Sequence, residues 1–90
     1  MSKKYTEDEA KQIGEQLGID FSKVDVQQFR RGLEVEMEHG SEWGDETNVT
    51  KDDPLFTGRI AWAHLKEIKD YYTWLDKMEA EAEVEQAIQE

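Results

Sequence analysis

Ninety residues allow one domain with one hydrophobic core, since a chain of this size buries only about 60% of its unfolded surface. Twenty-two acids against eleven bases give a net charge of −11, which repels a phosphate backbone and argues against direct nucleic-acid binding. Cysteine is absent, which removes disulfides, thiolate metal sites and cysteine nucleophiles.

The N-terminus places two lysines before a run of acids where a secretion signal would have an apolar core. No apolar run approaches the roughly 20 residues of a membrane span, so the expected location is the cytoplasm and no membrane partner is expected. A mean hydropathy of −0.91 leans toward disorder. Three each of Trp, Tyr and Phe nevertheless supply bulky anchors, and the chain reads as folded.

In chain order, residues 1–6 read as a flexible N-terminus. Thr6-Glu7-Asp8-Glu9 is a capping box, and Ala10, Ile13 and Leu17 recur at helical spacing before Gly18, predicting a first helix over 7–17. Ile19 and Phe21, in the link that follows, are expected to tuck under the bundle. Asp25 caps a second helix over about 26–39, with Val26, Phe29, Leu33 and Met37 on one face, Gln28 completing a second box and Gly40 ending the helix. Residues 40–53 are dense in turn formers and predict a long loop, the place to look for activity.

Asp53-Pro54 opens a third helix. Its stripe of Ala61, Leu65, Ile68, Tyr72, Leu75, Met78 and Ala82 either runs on unbroken or is divided near Lys69, with Asp70 capping a fourth helix. Residues 80–90 are acidic with a thin apolar face and predict a fraying helix end or tail. The fold class is all-α, a small bundle of three to four short helices over 7–79 with one long loop. The first helix should pack across the second and third. The expected core is Ile13, Leu17, Phe21, Phe29, Leu33, Met37, Ala61, Leu65, Ile68, Tyr72 and Leu75.

Three stretches, Ile19–Gly40 with its Glu-Met-Glu-His-Gly block, Asn48–Pro54, and Thr57–Glu79 with Ala-His-Leu-Lys-Glu followed by Asp-Tyr-Tyr, carry a resemblance over about residues 8–79. The chain resembles a family of small uncharacterised proteins found in tailed phages, prophages and bacteria. The resemblance implies a compact helical unit of phage or prophage origin, deployed in the bacterial cytoplasm or a virion, and brings no activity with it. At Lys69 the sequence departs from the proline that the resemblance leads one to expect.

Two histidine–carboxylate pairs carry the sharpest chemical signal. Glu36 and His39 stand at i, i+3 on the second helix, and His64 and Glu67 do so on the third. Four such donors suit zinc or another first-row divalent metal, the candidate cofactor. The competing reading is a structural cross-link in which Glu36 or Glu38 bonds His64 and pins two helices together. Glu34 and Glu38, a turn from Arg30 and Arg31, read as a solvated ion-pair face. No nucleophile, phosphate loop or catalytic triad accompanies these groups, so no enzyme is expected.

Trp43, Tyr71 and Trp74 are the candidate partner-binding residues, because exposed rings among acids suit a protein interface; the competing reading is that rings such as these complete a small core. The acidic surplus reads either as solubility or as mimicry of nucleic acid aimed at a basic host protein. The function expected is a non-enzymatic interaction module that meets a phage structural protein or a host factor. A metal-binding bundle is the alternative, and a nucleic-acid mimic the second.

Overall fold

Four helices follow one another, with a long link only between the second and third: α1 (Glu7–Leu17), α2 (Val26–Glu36), α3 (Pro54–Glu67) and α4 (Tyr71–Gln89). The computed structural model describes residues 4–89, with side chains through Ala87, and every regular element among the described residues is helical. The helix starts follow the local chemistry of the sequence. Thr6 Oγ1 accepts from the Glu9 amide at 3.1 Å while the Thr6 amide donates to Glu9 Oε1 at 2.9 Å, so two otherwise unpaired donors are satisfied reciprocally. Asp25 Oδ1 accepts from the Gln27 and Gln28 amides. Asp53 accepts from the Leu55 amide with Pro54 in the first turn.

Gln28 departs from the predicted second box. Its side chain reaches across to α4, where Oε1 accepts from the Tyr72 amide at 3.1 Å and Nε2 donates to Thr73 Oγ1 at 2.7 Å. A residue of α2 thus caps the first turn of α4.

The third and fourth helices are separate. Ile68 is extended (φ −135°, ψ 112°), and the Tyr71 amide closes a turn onto the Ile68 carbonyl at 3.1 Å. The break therefore forms with lysine at position 69. It also lifts Ile68 out of the expected core, leaving its side chain exposed, because the apolar stripe loses its register where the helix stops.

α2 is the central element and packs on α1, α3 and α4, while α1 also rests on α3. Phe29 and Leu33 of α2, Ala61 and Leu65 of α3, Tyr72 of α4, Ala10 of α1 and Ile19 of the first link form the buried core. Ile13, Leu17, Phe21, Met37 and Leu75 pack around it half-buried. Phe21 meets Phe29 edge-on, with ring centroids 5.7 Å apart. Gly32 allows the close approach of three helices: a Cβ there would lie 2.6 Å from Tyr72 Cε2 and 2.8 Å from Ala61 Cβ.

Tyr5 corrects the expected flexible N-terminus. Its ring is only 3% exposed, its amide donates to Glu34 Oε2 at 3.3 Å, and its carbonyl accepts from Arg30 Nε at 2.6 Å. The apolar body of a tyrosine one residue ahead of the cap gains enough from burial to fix the strand of chain that carries it. Residues 1–3 lie outside the described residues. At the other end α4 continues as helix to Gln89, and most of its residues beyond Asp76 are exposed.

The 40–53 segment has more order than a long loop implies. α2 tightens into a 3-10 turn over Met37–His39, and two more such turns span Ser41–Trp43 and Asp45–Thr47. Asp52 then closes the base, with Oδ1 accepting from the Ser41 amide at 3.0 Å and Oδ2 from the Ser41 hydroxyl at 2.7 Å. These bonds hold the Asp52 carboxyl below its usual range.

Candidate functional site

Helical spacing places Glu36 on the same side of α2 as Phe29 and Leu33, and its side chain is accordingly buried. A carboxylate in that position needs donors. The Tyr72 hydroxyl supplies one at 2.7 Å from Oε2. His39, one turn further along, brings Nε2 to 3.2 Å from Oε1, and His64 of α3 brings its Nε2 to 3.6 Å from Oε2. One buried carboxylate thus gathers groups from α3, α4 and the turn that extends α2. The hydrogen bond that ties helices together is Tyr72's, whereas His64 at 3.6 Å stands beyond hydrogen-bond distance of Glu36, so the expected Glu36–His64 bond is not formed.

The rings around it are ordered. His64 stacks on Tyr71 with centroids 4.1 Å apart and 7° between planes, and Tyr72 stands edge-on to both. Burial, followed by the bond to Glu36, pushes the Tyr72 hydroxyl far above the ordinary phenol range. The Tyr72 hydroxyl therefore keeps its proton at neutral pH and donates it to Glu36. Glu38 is also raised, first by burial and then by its acidic neighbours, with His39 opposing.

Glu67 does not join this group. It is exposed on α3 and makes no hydrogen bond or ion pair among the described residues. Among the described residues no cluster of three or more His, Cys, Asp or Glu side chains is placed to hold a metal ion.

Glu34 corrects the solvated-face reading. It is buried, takes the Tyr5 amide, and lies 3.6 Å from Lys4 Nζ and 3.7 Å from Arg31 Nη1. Arg31 also grips Asp76 of α4 through two nitrogens, Nε to Oδ2 at 3.0 Å and Nη2 to Oδ1 at 2.6 Å. Sequence spacing gives no sign of this pair, because it spans 45 residues.

The Arg31 bond holds the Asp76 carboxyl below its usual range. Both side chains are about two-fifths exposed, so solvent screening limits the pair to about 0.5 kcal/mol. A depressed carboxylate stabilises above its unfolded pKa of about 3.9 and loses that contribution as pH falls through the folded value. Asp76→Asn should therefore unfold at slightly lower urea than the parent at pH 7, with the gap narrowing below about pH 4; a gap that widened on acidification would contradict the pairing.

The three candidate partner-binding residues divide. Trp43 is 67% exposed and lines an open cleft with Glu38, His39 and Thr47. Trp74 is 58% exposed, with Lys77 Nζ 5.4 Å from its ring centre. Tyr71 is half-buried beneath His64. The third indole, Trp62, is half-buried and covered by Lys66 Nζ at 4.3 Å.

No helix among the described residues is long and apolar enough to cross a membrane. Searches of curated proteins and of solved structures find no match. A model for a family described as proteins of unknown function, DUF5661, matches residues 10–81, a span that includes the Glu36 cluster, Trp43 and Trp74. Four helices organised around a buried carboxylate are thus the fold of a member: the chain belongs to the DUF5661 family.

Proposed function

We propose that the protein is a non-enzymatic accessory protein of phage or prophage origin that acts by binding another protein through Trp43 and Trp74. The observation that carries this reading is the exposure of Trp43, a 67% exposed indole on a loop whose base is otherwise tied down by Asp52. Tryptophan is the residue most enriched among binding hot spots, and a rigid mount lowers the entropy lost on docking. The net charge of −11 favours a basic partner and speeds its encounter.

The test is affinity capture from a bacterial lysate with the parent, Trp43→Ala and Trp74→Ala, each in EDTA. A stoichiometric protein retained by the parent and at least tenfold depleted by either variant is the expected result. Capture unaffected by both variants would sink the indole surface, and capture unaffected by both variants but displaced by added double-stranded DNA would indicate nucleic-acid mimicry instead.

A metal-binding reading stands second and has less behind it: His39 and His64 approach Glu36, but no three donors are placed together to hold an ion among the described residues. It predicts that zinc raises the melting temperature and that His39→Ala or His64→Ala removes the effect. Equal stabilisation of parent and variants would end that reading.

A further inference from the structure

Across the molecule, Arg59 stands apart. Of the three arginines, Arg30 bonds the Tyr5 carbonyl and Gln27, and Arg31 bonds Asp76 and Glu34. Arg59 has no ion pair or hydrogen bond among the described residues, although acids outnumber bases by 22 to 11 in this chain. It lies at an open cleft of about 360 Å³ whose other walls are Val49, Thr50, Phe56 and Ile60. Clefts of this size are at the lower end of those that take ligands.

The cleft is apolar where proteins usually avoid being so. Val49 is 72% exposed and Phe56 about half exposed, so both walls present hydrocarbon to water. The wall carrying Val49 is nonetheless fixed: the Val49 and Thr50 amides both donate to the His39 carbonyl. Lys51 and Asp52 follow in left-handed backbone (φ 54° and 60°), a conformation that non-glycine residues hold at a cost. The surface is therefore preorganised, which lowers the entropy of docking.

From this charge complementarity we infer that the cleft binds the C-terminal carboxylate of a partner polypeptide ending in an apolar residue. The last side chain fills the space between Val49, Phe56 and Ile60, and the carboxylate takes the Arg59 guanidinium, which matches it with two parallel N–H donors. A chain terminus is the peptide source that sets one negative charge directly beside one apolar side chain. An internal acidic segment brings further carboxylates toward a surface of net charge −11, which repels them. The cleft shares no residue with the one beside Trp43, and the inference does not rest on the indole surface.

The test is a titration of the labelled full chain, followed by amide NMR shifts. The probes are five acetylated pentapeptides, Ser-Thr-Ala-Ala followed by Val, Leu, Ile, Met or Phe, each as free acid and as C-terminal amide. At least one free acid should shift Val49, Thr50, Phe56, Arg59 and Ile60 saturably, bind at least tenfold tighter than its amide, and lose at least tenfold with Arg59→Gln. Arg59 is exposed and unpaired, so that variant keeps the fold, and its unchanged spectrum elsewhere verifies this. Phe56→Ala should weaken binding severalfold. Absence of shifts with all five acids at millimolar concentration overturns the inference. Equal binding of acid and amide, unchanged binding by Arg59→Gln, or tighter binding of octanoate than of every peptide overturns it too. Loss of lysate capture with Trp43→Ala while the peptide still binds would separate the two surfaces.

Discussion

Replacing Phe29 by alanine should lower the melting temperature by about 15–30 °C. The ring is completely buried at the crossing of α2 with Phe21 and the helices around it. Phe→Ala substitutions in cores cost about 3–5 kcal/mol through lost transfer energy and the cavity that remains. A domain of this length has a total stability of roughly 5–13 kcal/mol, and each kcal/mol moves its midpoint by about 4–8 °C. Thermal melts followed by far-UV circular dichroism would measure it. A shift under about 5 °C would mean that the core is not organised on Phe29.

Tyr72→Phe is the second large effect, and it isolates one oxygen atom. The ring and its packing beside Gly32 are kept, while the 2.7 Å bond to the buried Glu36 disappears. A hydrogen bond to a charged acceptor contributes about 1.5–3 kcal/mol, and a buried carboxylate deprived of its donor loses at the upper end. The expected fall is about 2 kcal/mol, or roughly 10 °C. In Glu36→Gln the same Tyr72→Phe change should cost visibly less, because a double-mutant cycle removes what the two groups share. Additivity of the two changes would show that the hydroxyl and the carboxylate do not act on one another.

Much of this architecture is legible in the chain because its helix signals are local. Thr6, Asp25, Asp53 and the Gly residues after α1 and the α2 extension mark starts and stops within a turn of their observed places. The 3.6-residue period finds Phe29, Leu33, Ala61, Leu65 and Tyr72. What it obscures is polar burial. Glu36 continues the spacing of Phe29 and Leu33, so its burial is implied by position, yet its residue type invites a ligand or surface role. Tyr5 and Glu34 are harder still. Each is buried through the other, across 29 residues, and no pattern along the chain encodes that meeting. The Glu67 arm of the proposed metal set illustrates the converse limit: the same i, i+3 spacing from His64 leaves it facing water.

The bond between Asp52 and Ser41 makes the intervening segment a closed ring attached at its root. Conformational freedom in the tip near Asp45 and Glu46 is then decoupled from the helices, because the strain of any change stops at the ring closure. Lengthening such a ring by half raises its closure entropy by only about 0.4 kcal/mol. Changes in the length and lettering of that tip are therefore absorbed within the ring and leave the four-helix scaffold as it is.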